Sequence, residues 1–344
     1  MDNDLVEAIS FHERVVKEGR KALVGYEREK LVTNVALLSE IPTTQSEEED
    51  RQVNSANILL EGVPGVGKTF FGVIIAAISD ASFARIQGRY DLQPSEIIGF
   101  QRINPVTGEI MVEQGPIMAE VVLLDEINRT PPKSQSAYLE ALQDRTVTIG
   151  NKVYNLPKFN FSIATMNPVE LGQGTSHLSE AAQDRFAIKI NIKYLSPEEE
   201  QKLVQFDFKK VKLDKVVSKE RIVELRSAIA RGIYLNPKLD KYIRRLVGAG
   251  RPFNREDWPY YSPSPLVEKW VALGPSPRTT ICWGRLAKAW ALLYGKRNYI
   301  LPEDIQNLAP YVLGHRIWLK PEADGEKIEV GTVIKDILER VAIP

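Results

Sequence analysis

The chain has 344 residues, 43% hydrophobic and 26% charged, which are ordinary values for a globular protein of about two domains. Its 45 Lys and Arg residues balance its 45 Asp and Glu residues, and a net charge of zero argues against bulk electrostatic binding to nucleic acid. A single cysteine, Cys282, excludes an intrachain disulfide framework, and no apolar run reaches the ~18 residues of a membrane span, so we expect a cytoplasmic protein.

The elements predicted from the N-terminus are helices, then an acidic loop, then alternating strands and helices. Apolar residues recur at helical spacing up to residue 40, and 41–50 lacks such periodicity and ends in four acids. Short apolar runs typical of strands follow at 57–61, 82–87, 121–125, 159–165 and 187–192. Helical segments fit between these runs, so we predict an α/β fold with a parallel five-stranded sheet between helices.

Two β-hairpins are predicted to project from this sheet. The first covers 100–113 with a turn at 104–108, and the second covers 146–154 with a turn at Gly150-Asn151. Beyond the helix start at Ser196-Pro197 the periodicity is helical throughout. We therefore divide the chain into an α/β domain at 1–195 and an all-α domain at 196–344, with an aromatic and Pro-rich insertion near 251–270.

A phosphate-binding loop follows the first sheet strand. The residues of this loop are Gly62, Val63, Pro64, Gly65, Val66, Gly67, Lys68 and Thr69. A strand before the motif and a helix after it are the context that this pattern requires. Glycines let backbone N–H groups turn towards phosphate oxygens, and the helix N-terminus adds positive charge. We expect Lys68 to bind the β- and γ-phosphates and the Thr69 hydroxyl to ligate Mg²⁺.

Polar residues at the ends of two further strands complete this candidate site. Four apolar residues lead into Asp125 and Glu126, and a second strand ends at Asn167. Asp125 is a candidate Mg²⁺ ligand, and Glu126 is a candidate general base for the attacking water. Asn167 can hydrogen-bond the γ-phosphate and that water, and Asn167-Pro168 also suits a turn. The carboxylate pair favours hydrolysis by water over transfer to a bound acceptor.

The order of these motifs resembles the AAA+ ATPases, and within them the MoxR family. The most specific segments are LLEGVPGVGKT at 59–69, DLQPSEIIG at 91–99, DEINRTPPKSQ at 125–135, ATMNP at 164–168, QDRF at 183–186, SPR at 276–278, YILPED at 299–304 and APYVLGHR at 309–316. The resemblance implies an AAA+ core, a helical lid and a homo-oligomeric ring, usually a hexamer. It also implies ATP as the nucleotide.

The same resemblance assigns roles to residues outside the P-loop. Asn167 matches the first sensor, and Arg185 matches an arginine finger that reaches into the adjacent subunit. Arg278 matches the second sensor of the lid, where Ser276 as N-cap and Pro277 at the first helical position would let it face the γ-phosphate. The resemblance further implies work on a client protein, in remodelling, assembly or metal-cofactor maturation, often beside a partner with a von Willebrand factor A domain.

Three questions stay open at the level of sequence. A nucleic-acid-acting AAA+ motor and a nucleotide-gated scaffold with little turnover are the alternative functions. The two hairpins could engage a partner protein or only decorate the sheet edge. The loop at 43–56, His177 and the aromatic segment at 253–266 depart from the usual family pattern. We expect His177 to be a loop residue, and the aromatic residues 258–261 could either contact a partner protein or pack onto the lid.

Overall fold

The computed structural model describes residues 2–42, 53–168, 178–207, 211–252 and 264–344. His177 and nearly all of the aromatic segment at 253–266 lie outside these residues, as do ten residues of the loop at 43–56. The strands are β1 (Ile41–Pro42), β2 (Val53–Asn54), β3 (Ile58–Gly62), β4 (Phe83–Gln87), β5 (Gly99–Ile103), β6 (Ile110–Gln114), β7 (Val121–Asp125), β8 (Thr146–Ile149), β9 (Lys152–Asn155), β10 (Phe161–Met166), β11 (Ile188–Ile192), β12 (Val271–Leu273) and β13 (Trp318–Leu319).

Helices make up most of the rest of the described chain. They are α1 (Asn3–Arg20), α2 (Glu27–Leu37), α3 (Lys68–Ser79), α4 (Pro94–Ile98), α5 (Pro132–Asp144), α6 (Glu180–Gln183), α7 (Pro197–Val204), α8 (Lys219–Gly232), α9 (Pro237–Ala249), α10 (Pro265–Trp270), α11 (Pro277–Leu293), α12 (Pro302–Leu313), α13 (Glu322–Gly325) and α14 (Val330–Arg340). No helix of the described ranges is both long enough and apolar enough to cross a bilayer.

The central sheet has the strand order β11-β3-β10-β7-β4, and all its strands are parallel. The five predicted strands lie within two residues of their observed bounds, so the predicted fold class is confirmed. In this order β10 separates the P-loop strand β3 from β7, which carries Asp125. Since carboxyl ends of parallel strands share one edge, the P-loop, Asp125 and Asn167 lie at the same end of the sheet.

Both faces of the sheet are buried, which explains why its strands are continuous apolar runs. Successive residues of β7 alternate between two hydrophobic clusters: Val121 and Leu123 belong to the cluster that includes apolar residues of α1, α2 and α3, whereas Val122 and Leu124 belong to the cluster that includes residues of α4 and α5. The first cluster continues without a break into the helices after residue 196, including the buried Trp283 and Trp290 of α11. The C-terminal helices therefore share a core with one face of the sheet.

Both predicted hairpins are present and differ in burial: Val147 and Ile149 of β8 belong to the second hydrophobic cluster, whereas the first hairpin is exposed along most of its length. Strands β5 and β6 pair antiparallel from Gly99–Gln114 to Ile103–Ile110, and β8 pairs with β9 around Gly150. Gly150 has a φ of +61°, which suits the two-residue turn that joins β8 to β9. The first hairpin exposes apolar side chains at Phe100, Ile103, Val106 and Ile110.

Candidate nucleotide site

The P-loop connects β3 to α3 in the conformation that its glycines permit. Gly65 and Gly67 have φ angles of +83° and +82°, a region that other residues rarely adopt, and Gly67 is the N-cap of α3. The Lys68 ammonium donates hydrogen bonds to the carbonyls of Gly62 and Val63, the latter at 2.9 Å. Those carbonyls hold the ammonium beside the N-terminus of α3, where an anion would be stabilised.

An apolar cavity of about 310 Å³ opens beside the P-loop. Its walls come from Leu23, Tyr26, Phe70, Leu195 and Leu203, together with the loop residues 64–67. Tyr26 closes one side and donates a hydrogen bond to the Lys193 carbonyl, and burial raises the pKa of its phenol to about 12. The size and apolar lining of this cavity fit a nucleobase. Sequence analysis missed the cavity because residues about 170 positions apart in the chain form its walls.

Asp125 ends β7 and is buried, with its side chain 11% exposed. One oxygen accepts a hydrogen bond from the Thr165 hydroxyl on β10 at 2.5 Å. The same hydroxyl accepts a hydrogen bond from the backbone N–H of Glu126 at 2.9 Å. Thr165 therefore fixes both carboxylate residues, although sequence analysis had not identified it.

Strand β4 supplies two further side chains that sequence analysis also missed. Arg85 donates two hydrogen bonds to the other Asp125 oxygen, at 2.5 Å from Nη2 and 3.1 Å from Nε. Gln87 donates to the Glu126 carboxylate at 3.1 Å. Alternate residues of a strand share a face, so the spacing of Arg85 and Gln87 indicated that both side chains lie on one face of β4. Only the pairing of β4 with β7 shows that this face meets Asp125 and Glu126.

Glu126 has an uncommon backbone conformation for a side chain of its size, with φ at +59°. Gly88 allows β4 to approach it, because a Cβ there would lie 2.2 Å from the Glu126 carbonyl oxygen. Arg129 lies 3.4 Å from the Glu126 carboxylate.

Asn167 is buried at the end of β10, next but one to Thr165, and its carbonyl accepts a hydrogen bond from Asn128. The predicted sensor and base thus lie at the ends of neighbouring strands.

The donors at this edge suit a hard divalent cation. The Asp125 carboxylate at the end of β7 and the Thr69 hydroxyl in the first turn of α3 both offer oxygen, which Mg²⁺ prefers. Within the described part of the chain, no group of three or more His, Cys, Asp or Glu side chains could hold a metal ion by itself. A phosphate-bound Mg²⁺ held by Asp125 and Thr69 therefore fits better than a protein-only metal cage.

The two candidate arginines lie together, at the other end of the sheet. Arg185 Nε donates to the Gln143 side-chain oxygen at 3.2 Å, and Arg278 Nη2 donates to the same oxygen at 3.4 Å. Arg185 precedes β11, whose first residues are level with the start of β3. About five strand residues, ~17 Å, therefore separate this pair from the P-loop.

The contacts of Arg278 place it beside Arg185, and its predicted contact with the γ-phosphate stays a prediction. Arg278 does begin α11, with Ser276 as N-cap and Pro277 next, as predicted. Its guanidinium contacts Gln143 and lies 3.7 Å from the Asp184 carboxylate, which also accepts hydrogen bonds from Ser276 at 2.8 Å and 2.9 Å. Asp184 also pairs with the buried Arg316 of the lid at 3.0 Å. These contacts attach the C-terminal helices beside Arg185.

Comparison with known proteins agrees with this geometry. Residues 57–188 match the model of the ATPase family associated with various cellular activities, and 265–337 match the AAA lid domain. Chaperone MoxR1 of Mycobacterium tuberculosis is 35% identical over 96% of this chain and 82% of its own length. This chain belongs to the MoxR family of AAA+ ATPases.

Two other similarities cover most of this MoxR-family chain. The uncharacterized protein YeaC of Bacillus subtilis is 38% identical over 84% of this chain and 85% of its own. A crystal structure from Cytophaga hutchinsonii, provisionally described as an ATPase, is 35% identical and has a TM-score of 0.83, covering 99% of this chain and 97% of that one. The family assignment therefore covers both the sheet and the C-terminal helices.

Proposed function

We propose that this MoxR-family protein hydrolyses ATP with Mg²⁺ in a homo-oligomeric ring, and that hydrolysis remodels or assembles a client protein. One observation carries the proposal: each protomer has a P-loop with Asp125 and Glu126 at one end of its sheet and two exposed arginines at the other. A head-to-tail arrangement of protomers would place the arginines of one chain at the P-loop of the next.

The residues of such a composite site would divide the chemistry. Lys68 would exchange its two backbone carbonyl partners for phosphate oxygens. Mg²⁺ on Asp125 and Thr69 would neutralise charge on those oxygens. Glu126 would accept the proton of the attacking water, which Asn167 would orient. Arg185 and Arg278 of the neighbour would stabilise the charge that develops on the transferred phosphoryl group, an effect worth about 10³- to 10⁵-fold for a positioned arginine.

A mixing experiment tests whether Arg278 acts on the neighbouring site. ATPase rates are measured for Arg278→Ala, for Glu126→Gln and for an equal mixture of the two after subunit exchange. We expect each variant alone to be inactive and the mixture to recover activity, because an intact Glu126 in one chain meets an intact Arg278 in the next. If Arg278 served its own chain, every mixed site would lack one group and the mixture would stay inactive.

Two controls complete this design. Arg185→Ala mixed with Glu126→Gln should recover to a similar extent, because the two arginines share Gln143. Lys68→Ala mixed with Glu126→Gln should not recover, because both groups belong to one P-loop site. A rate per subunit that does not change with protein concentration would contradict the composite site.

The client-binding part of the proposal is supported by the first hairpin and by a relative. The β5–β6 hairpin exposes Ile103, Val106 and Ile110 at 68%, 89% and 67%, at the end farthest from its attachment at Gly99. Exposed apolar side chains suit transient contact with non-native protein, and one similar protein is named Chaperone MoxR1. Val106→Asp should lose suppression of citrate synthase aggregation and keep the basal ATPase rate, whereas Val153→Asp on the second hairpin should keep both.

A further inference from the structure

An open groove on the lid lies close to the arginine pair. It has a volume of about 580 Å³ and lies between the end of α8, the start of α9 and the outer face of α11. Tyr234 and Ile281 line it with their side chains 60% and 51% exposed. Arg231, Arg285 and Lys288 line it as well. The groove therefore combines apolar contact area with positive charge.

The positive charge of this groove is poorly balanced by neighbouring carboxylates. Its lining includes one acid, Asp240, which pairs with Arg244 at 2.6 Å. Arg231 and Arg285 make no ion pair with any carboxylate in the described part of the chain, and Lys288 donates to the backbone carbonyl of Ala230. An acidic surface would therefore find two cations available there.

The groove is continuous with Arg278. Residues 278, 281, 285 and 288 follow one another at spacings of three and four along α11, so they share one face of that helix. Arg278 begins the face at the arginine pair, and Arg285 lies about two turns further along it. A neighbouring chain that receives Arg278 would thus continue along this face.

The opposite end of the protomer has complementary features. Helix α7 lies beside the P-loop, since Glu200 and Leu203 line the apolar cavity with residues 64–67. Glu198 and Glu200 on this helix are exposed, whereas the Glu199 carboxylate accepts the Ser196 N–H at the helix start. Tyr194 and Val204 flank the acids and are 71% and 88% exposed.

We propose that the groove on α11 binds helix α7 of the next copy of this chain. The inference rests on the proposed composite site, because only a head-to-tail arrangement brings the Arg278 end of one chain to the P-loop end of another. Arg231 and Arg285 then face Glu198 and Glu200, and Ile281 and Tyr234 cover Val204 or Tyr194. The contact adds a specificity element that aligns Arg278 with the neighbouring phosphates.

Charge reversal with rescue tests the contact. Arg285→Glu, Glu198→Arg and the double variant are compared by sedimentation velocity over a range of concentrations with Mg²⁺ and a non-hydrolysable ATP analogue. Each single reversal should raise the half-assembly concentration about tenfold, and the double variant should return to within about twofold of wild type. Lys335→Glu, on an exposed lid helix outside the groove, should leave assembly unchanged.

Binding of a fluorescent ATP analogue and thermal unfolding of each variant exclude lost nucleotide affinity or misfolding as the cause. If wild type assembles and neither reversal changes its assembly, the groove contact is wrong while the composite site stands. If Arg285→Glu weakens assembly and Glu198→Arg neither weakens nor rescues it, the groove contacts something other than α7, and the proposal is overturned. If wild type does not assemble at any concentration, the proposed ring itself fails.

Discussion

The guanidinium of Arg85 holds the carboxylate of Asp125, with Nη2 2.5 Å and Nε 3.1 Å from the same oxygen. Asp125 is the proposed Mg²⁺ ligand, so in the nucleotide-free chain a positive side chain already neutralises it. The Arg85 side chain is half exposed, at 50%, so water screens its attraction to Asp125 and the pair contributes less than a fully buried ion pair would. Arg85 can therefore yield the oxygen to a metal at small cost.

Replacing Arg85 should consequently strengthen metal binding. In Arg85→Met we expect the Mg²⁺ concentration for half-maximal binding, measured by calorimetry in the presence of ATP analogue, to fall about two- to fivefold, the equivalent of ~0.5–1 kcal/mol for a pair whose arginine is half exposed. Arg102→Met, which removes a surface pair with Glu113 on the hairpin, is the matched control and should leave Mg²⁺ binding unchanged. Weaker Mg²⁺ binding by Arg85→Met would show instead that the arginine orients the ligand.

Thr165 should control catalysis more than nucleotide binding. Thr165→Val removes the hydroxyl that donates to Asp125 and accepts from the Glu126 N–H, and an unsatisfied N–H costs ~1–3 kcal/mol. We expect kcat to fall about tenfold or more, with the affinity for ATP analogue changed less than about threefold. Thr165→Ser keeps the hydroxyl and should retain most of the rate; equal loss in both variants would assign the effect to packing.

Asp184 should hold the lid in place. Its carboxylate accepts hydrogen bonds from Ser276 and pairs with Arg316, whose side chain is 1% exposed. Asp184→Asn removes the charge partner of a buried guanidinium, although carbonyls of Phe186, Ala187 and Val312 still accept from it. We expect the free energy of unfolding to fall by ~1–3 kcal/mol in urea denaturation.

The control for this change is Asp240→Asn, which removes an exposed pair with Arg244 and should cost less than ~0.5 kcal/mol. The Asp184 variant should also lose the mixing recovery described for Arg278, since its lid is no longer fixed beside Arg185. Unchanged stability together with full recovery would contradict this role.

His12 should make the protein less stable in acid. Burial lowers the pKa of His12 to about 4, with Glu13 acting to raise it and Lys296 to lower it, and its Nδ1 accepts a hydrogen bond from Asn34. Between pH 6.5 and 4 the unfolded chain binds a proton at this residue that the folded chain does not, so stability falls as pH falls. A shift of this size corresponds to about 3 kcal/mol in total.

The measurement compares wild type with His12→Gln by denaturant unfolding at several pH values. The other titratable groups contribute equally in both proteins, so the difference between the two free energies of unfolding isolates the contribution of His12. We expect the stability of wild type relative to the variant to fall by about 3 kcal/mol from pH 7 to pH 4. Parallel curves would mean that the pKa of His12 does not differ between the folded and the unfolded chain.

Local pattern was enough to find the P-loop and the polar strand ends. Gly65 and Gly67 adopt the left-handed backbone that their residue type permits. Four buried apolar residues of β7 precede Asp125, as the apolar run in the sequence predicted. Uninterrupted apolar runs also located the five sheet strands, because strands buried on both faces carry apolar residues at successive positions. The positions of Lys68, Glu126 and Asn167 followed from the common edge of a parallel sheet.

What the sequence determined by itself was therefore the chemistry at the carboxyl ends of the strands, since each motif is contiguous and its conformation is local. Only the tertiary structure decided which side chains meet across the sheet: the β4–β7 pairing brings Arg85 to Asp125, and β10 brings Thr165 to both acids. It alone also decided where Arg278 lies, because the lid is fixed by Asp184 and by a core shared with α1 and α2. Such contacts join residues about 40 to 130 positions apart, and no periodicity of the chain encodes which of many apolar faces will pack together.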